Sequence, residues 1–207
     1  MVTEADRALS QQFVSLVESM FMGVNLTRIA SDATDSRTVP VIHVKDLDDG
    51  RILPPQELDT VSIGSSKLAR QELQVGDLLV SARGTLLKCA VVREPHIGCI
   101  ASANFIVIRP GAKSPIEPDL LCAFLRQVET KSLLLSRVSG TAQPVLTIKD
   151  LETLVIIVPP PEKQAELSRL INLADELYKT TRESAELRRD EALDVLAHYM
   201  REANAAI

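Results

Sequence analysis

From position 161 to about 203 the sequence contains neither glycine nor proline, a run opened by Pro159-Pro160-Pro161 and filled largely with Leu, Ala, Glu, Lys and Arg. Proline at a first helical position and the absence of breakers behind it predict one continuous helix. At about 1.5 Å per residue such a helix reaches roughly 60 Å, longer than a compact domain made from the rest of the chain is wide. Leu167, Leu170, Ala174, Leu177 and Thr181 recur at alternating spacings of three and four, a coiled-coil seam. Ala185, Ala192, Leu193, Leu196 and Met200 follow a drifted stripe beyond a mostly charged interval. Two or three heptads do not sustain a coiled coil alone, so the helix is expected to lie against another, either an N-terminal helix or that of a second copy.

Ahead of this helix the signals are those of a small mixed domain. A polar stretch, Ser139-Gly140-Thr141-Ala142-Gln143, precedes Thr147-Ile148-Lys149-Asp150, where Thr147 reads as the N-cap of a short helix. An apolar strand over 154–158 leads to the prolines. Further upstream, Gly76-Asp77 and Arg83-Gly84-Thr85 punctuate apolar runs over 78–82, 86–92, 97–101 and 104–108, which predict a sheet. Pro118-Asp119 opens a helix, and a second runs near 130–137. Residues 39–47 read as a short strand containing a proline, Asp48-Asp49-Gly50 as a turn, and Ser65-Ser66-Lys67 with Arg70 as a polar loop. At the start, Thr3 and Asp6 suggest a cap, and Leu9, Phe13, Leu16, Val17, Met20 and Phe21 recur at helical spacing, predicting an amphipathic helix ending near Gly23.

Composition bounds the class. With 207 residues and 45% hydrophobic content, the chain can hold one ordinary core plus an extended element. No apolar run is long enough to span a bilayer and no secretory leader is evident, so a soluble cytoplasmic protein is expected. Cys89, Cys99 and Cys122 are odd in number and sit among apolar residues, which suits reduced core thiols. The net charge of −5 hides an asymmetry: residues 61–149 hold eleven Lys/Arg against six Asp/Glu, a net +5, so the remainder carries −10. Affinity for phosphate depends on charges at the contact, so an acidic total is compatible with a local nucleic-acid surface.

Enzymatic signatures are missing. Cys89, His96 and Cys99 lack the fourth ligand and paired spacing of a zinc site. There is no G-x-S-x-G elbow, H-E-x-x-H helix or phosphate-binding G-x-x-x-x-G-K-[ST] loop. The reading is therefore of a protein with no catalytic residues, no metal and no cofactor of its own. With no Trp and two Tyr, binding of single strands by base stacking is also disfavoured.

Three blocks occur in order: Gly76-Asp77-Leu78-Leu79-Val80-Ser81-Ala82-Arg83-Gly84-Thr85, then Ser102-Ala103-Asn104-Phe105-Ile106-Val107-Ile108-Arg109-Pro110, then the stretch from Ser139 through Pro161-Glu162-Lys163-Gln164. As an ordered set they resemble the DNA-specificity (S) subunit of type I restriction-modification systems, over roughly residues 24–185. The resemblance implies an α/β (α+β) fold: a mixed-sheet target-recognition domain at 24–160, then a long coiled-coil-type helix at 161–207; the amphipathic helix read at 1–23 departs from the family pattern, which commonly starts directly with the recognition domain, and so does the overall acidity. A full-length family member carries two recognition domains and two long helices in pseudo-twofold arrangement and reads a split site. This chain has room for one of each. The resemblance thus implies a half-subunit that acts as a homodimer on double-stranded DNA, its long helices paired antiparallel as a spacer. Methyl transfer, with S-adenosylmethionine, would belong to an adenine methyltransferase partner subunit; whether a motor endonuclease subunit joins is left open.

Candidate DNA-binding residues are Lys67, Arg70, Arg83, Thr85, Lys88, Ser139, Thr141 and Gln143. Arg83, Thr85 and Lys88 bracket a strand turn suited to phosphate or a guanine edge, and equally read as plain surface charge. Gln143 offers an amide matched to adenine, although residues 139–143 read first as the loop that leads into the Thr147 cap. Asn104 reads as a sheet-edge or turn residue. Leu167, Leu170, Ala174, Leu177 and Thr181 are the candidate dimer and partner residues. The competing expectation is a protein-interaction scaffold that keeps the fold without binding DNA.

Overall fold

Residues 9–22 do not form the expected amphipathic helix. The computed structural model describes residues 9–26, 35–48, 50–138 and 144–205. It places strand β1 at Leu9–Gln12, a 3-10 turn at Phe13–Leu16 and strand β2 at Ser19–Met22. The helical spacing of Phe13 and Leu16 is real, and both are buried, but one tight turn between two strands satisfies it. Their partners decide the outcome. β1 pairs antiparallel with residues 155–158 and β2 with residues 106–109, so each completes the hydrogen bonds of an otherwise open strand edge. Tertiary pairing of this kind overrides a local helical pattern. Thr3 and Asp6, the proposed cap, lie outside the described residues.

The chain continues through β3 (Ser36–Ile42), β4 (Leu47–Asp48), β5 (Arg51–Ile52), β6 (Asp59–Gly64), helix α1 (Ser65–Gln71), β7 (Leu78–Ser81), β8 (Cys89–Val91), β9 (Ile100–Ala101) and β10 (Phe105–Arg109). Helices α2 (Pro118–Arg126), α3 (Val128–Arg137) and α4 (Ile148–Glu152), strand β11 (Val155–Val158) and helix α5 (Pro161–Ala205) follow. The mixed α/β architecture and the long terminal helix agree with the sequence reading. The predicted polar loop around Lys67 is instead the helix α1, because Leu68 can bury its side chain only if that segment coils.

β2, β10, β7 and β8 form an antiparallel sheet in that order. β6, β3 and β9 form another, in which β3 and β9 run parallel. β7 and residues 105–108 of β10 are buried throughout, which is why they read as unbroken apolar runs instead of alternating ones. One core packs Leu79, Ala90, Phe105 and Val107 against Ile42, Leu47 and Leu73; a second gathers Val24, Val39, Val41, Ile63, Leu68 and Ile100. Gly23 is dictated by close approach: a Cβ there would stand 2.2 Å from the Ser102 carbonyl oxygen, so only hydrogen fits where β2 passes β9.

Two compact units are present, Met1–Ser168 and Arg169–Ile207. The first turns of α5 belong to the first unit. Buried Gln164 donates through Nε2 to the carbonyls of Pro115 (2.6 Å) and Pro159 (2.9 Å), and its Oε1 accepts from the Glu117 amide at 2.9 Å. Ser168 donates to the Glu117 carboxylate. The second unit is the remainder of α5, carrying Lys179–Glu183 and Arg182–Glu186 pairs four residues apart.

Candidate nucleic-acid interface

The loop joining β7 to β8, residues 82–88, is fixed at its base by side chains and main chain together. The hydroxyl of buried Ser81 donates to the Thr85 carbonyl at 2.5 Å and accepts from the Lys88 amide at 2.9 Å. Leu87 returns its amide to the Ser81 carbonyl at 3.0 Å and is buried at φ 61°. A leucine in this left-handed region costs on the order of 1–2 kcal/mol, so packing must over-determine the turn. The Lys88 ammonium donates to the Leu47 carbonyl at 2.8 Å and lies 3.4 Å from that of Val44, tying the loop to the β4–β5 hairpin.

Two further bonds frame the residue before Arg83. The Ala82 amide donates to the Asn104 carbonyl at 2.7 Å, and the Ala82 carbonyl accepts from the Leu146 amide at 2.9 Å. Arg83, Gly84 and Thr85 therefore stand exposed at the tip of a loop whose stem is fixed. Asn104 sits in the turn before β10, exposed and beside that stem, as a turn residue should. Its neighbourhood to Arg83 arises from a cross-strand bond and leaves no trace in local sequence.

Ser139, Thr141 and Gln143 lie outside the described residues. Their flanks are well tied. On one side Arg137 donates to the Asp150 carbonyl (2.9 Å) and the Thr153 hydroxyl (2.6 Å). On the other, Leu146 meets Ala82, and Thr147 caps α4 in a reciprocal box with Asp150. Lys67 and Arg70 are exposed one turn apart on α1, which packs over the β3–β6–β9 core. Among the described residues no hydrogen bond or ion pair joins them to the β7–β8 loop.

The cations of 61–149 divide into two sets. Arg93 pairs with Asp119, and Arg109 forms a two-pronged bond with buried Asp77 at 2.7 and 2.8 Å. Lys88 and Arg137 serve main-chain carbonyls. Lys67, Arg70, Arg83, Lys113 and Lys149 are exposed and Lys131 is half-buried, and none makes a side-chain hydrogen bond or ion pair among the described residues. The His96 Nε2 faces the Leu53 carbonyl at 2.9 Å, and burial pushes the Cys99 thiol up to about 11. Burial raises the Cys89 thiol further still. Among the described residues no group of three His, Cys, Asp or Glu could hold a metal ion.

Along α5, Leu167 is half-buried within the first unit, whereas Leu170 (62%), Leu177 (66%), Ala174 and Thr181 are exposed. Leu173 and Tyr178, not among the candidates, are also exposed and widen the apolar strip beside the seam. No described helix is long and apolar enough to cross a membrane.

A family model for the type I restriction modification DNA specificity domain matches residues 24–187. The fold is similar to the HsdS subunit from Thermoanaerobacter tengcongensis, at 21% identity over 88% of this chain and 45% of that one, with a TM-score of 0.60. It is similar to a chain from a type I R-M system studied for complex assembly and conformational transition, at 20% identity over 92% and 47%, TM-score 0.64. The S subunit of a type I restriction-modification system from M. genitalium matches at 12% identity over 92% and 45%, TM-score 0.55. The chain thus spans about half the length of these structures. No curated protein sequence matches it.

Proposed function

Because this chain belongs to the type I restriction modification DNA specificity domain family, we propose that it is the sequence-reading component of a DNA methyltransferase complex and is not itself an enzyme. Residues 24–160 form the recognition domain and residues 161–207 the spacer and docking helix. Arg83 and Thr85, on a loop with a fixed stem, meet the duplex. Ser139, Thr141 and Gln143 supply further polar contacts, and Lys67 and Arg70 add phosphate contacts from α1. Lys88, whose ammonium is engaged by main-chain carbonyls, acts mainly by holding the loop.

Two copies pair through Leu167, Leu170, Ala174, Leu177 and Thr181 on α5, giving two inverted recognition domains and a split palindromic site. An adenine methyltransferase subunit supplies the chemistry and the methyl donor, and a motor endonuclease subunit is compatible with the same platform. The observation that carries this reading is the exposed Arg83–Thr85 tip on a strained, hydrogen-bonded turn within the family-matched region.

The chain combined with its methyltransferase subunit is expected to retain duplex DNA on a filter at low salt. A second reading, a scaffold that does not bind DNA, draws on the engagement of Lys88, Arg93, Arg109 and Arg137 by partners within the chain and on the net charge of −5. Absence of retention at every salt concentration would favour that scaffold.

A further inference from the structure

The β4–β5 hairpin, the β7–β8 loop, the end of α2 and the start of α3 enclose a cavity of about 250 Å³. Lys88, Arg126 and Lys131 line it from three different elements, against one carboxylate, Asp48, among the described lining residues. Thr85 also lines it. Gly50 closes the wall at φ +85°, and a Cβ there would stand 2.9 Å from an Arg126 guanidinium nitrogen. The hairpin therefore turns over the guanidinium at a distance that any side chain would disturb. Lys131 is half-buried, and its ammonium makes no hydrogen bond or ion pair among the described residues.

We propose that this cavity is a binding site for a phosphoryl anion, with Lys131 and Arg126 as its charged contacts and Lys88 setting the potential from the loop side. The positive charges come from the end of α2, the start of α3 and the β7–β8 loop, and the recess limits the solvent that would otherwise screen them. Thr85 of the exposed Arg83–Thr85 tip is itself a lining residue, so an anion held there sits next to that tip. On the DNA-binding reading, on which this identification of the source rests, the anion is a backbone phosphate that registers the loop on the duplex. A free phosphate offers the same chemistry, and the test separates the two.

The full chain, labelled with ¹⁵N, is titrated with inorganic phosphate at constant ionic strength, using sodium chloride as the control. Saturable shifts at the amides of Thr85, Leu87, Lys88 and Lys131, reduced about tenfold in affinity by Lys131→Ala, are expected. Shifts matched by chloride, or unchanged by Lys131→Ala, would overturn the site. Lys131→Gln, which keeps length and hydrogen bonding, guards against loss by misfolding and is expected to show the same weakening. A duplex titration provides the second arm. If duplex binds and Lys131→Ala lowers the slope of log affinity against log salt by about one unit, the phosphate belongs to DNA. If inorganic phosphate saturates the site but duplex binds with the slope unchanged, the pocket stands for a free anion, the backbone-phosphate source falls and DNA recognition stands. If inorganic phosphate saturates the site and duplex does not bind, the pocket stands for a free anion and the DNA reading falls.

Discussion

At the scale of single residues, the Arg109–Asp77 pair is an ion pair with its carboxylate buried. Asp77 is 1% exposed and receives Arg109 through both oxygens, together with the Gln74 amide at 2.8 Å. Arg109 also reaches the Glu72 carbonyl at 3.1 Å, and its guanidinium carbon lies 5.5 Å from the centre of the Phe21 ring. The hydrogen bonds to Asp77 raise the pKa of the guanidinium above its ordinary value. Removing one partner strands the other charge away from water, so Asp77→Ala is expected to cost about 3–5 kcal/mol, read as a fall in the urea midpoint. A midpoint within experimental error of the wild type would refute the buried-pair account. Arg109→Lys cannot reproduce the fork and is expected to recover only part of the loss. Position 77 was legible from sequence only as a turn residue, since its cation lies 32 positions away. Thr147 and Asp150, three residues apart, were legible as a cap for the opposite reason.

Among elements, α5 carries the clearest contrast between its two ends. Gln164 saturates three main-chain groups, so Gln164→Leu leaves two carbonyls and an amide without partners, each worth about 1–3 kcal/mol when buried. Amide exchange over residues 161–168 should then accelerate while β7 and β10 keep their protection. Equal loss in all three would show that Gln164 holds the whole unit and not the helix start. Beyond Ser168, Leu170 and Leu177 are exposed. Covering a leucine contributes about 1.5–3 kcal/mol, so the double change Leu170→Asp with Leu177→Asp should raise the proposed dimer's dissociation constant at least roughly 100-fold by sedimentation equilibrium. A monomeric wild type under the same conditions would remove the dimer from the account. The helix could be read from sequence because 3.6-residue periodicity and the absence of Gly and Pro are local. β1 and β2 could not, because what makes residues 9–22 extended is the offer of hydrogen bonds from β11 and β10, far along the chain.

For the whole molecule, the electrostatic pattern separates into cations that hold the fold and cations that face outward. Composition showed the +5 segment but not this division, since Arg93 and Arg83 look alike until Asp119 is placed beside one of them. Charge reversal at exposed Arg83 is therefore expected to weaken duplex binding about tenfold or more and to flatten its salt dependence, with the thermal midpoint unchanged. Reversal at Arg93 should instead lower the midpoint. The central claim is that two copies of one recognition domain read a divided site. It is tested most directly by selecting duplexes from a randomised pool with the chain bound to its adenine methyltransferase subunit, then sequencing what is retained. The account predicts enrichment of two inverted half-sites at one fixed separation, lost in the Arg83→Glu protein. Retention without any enriched sequence, or no retention, would contradict it.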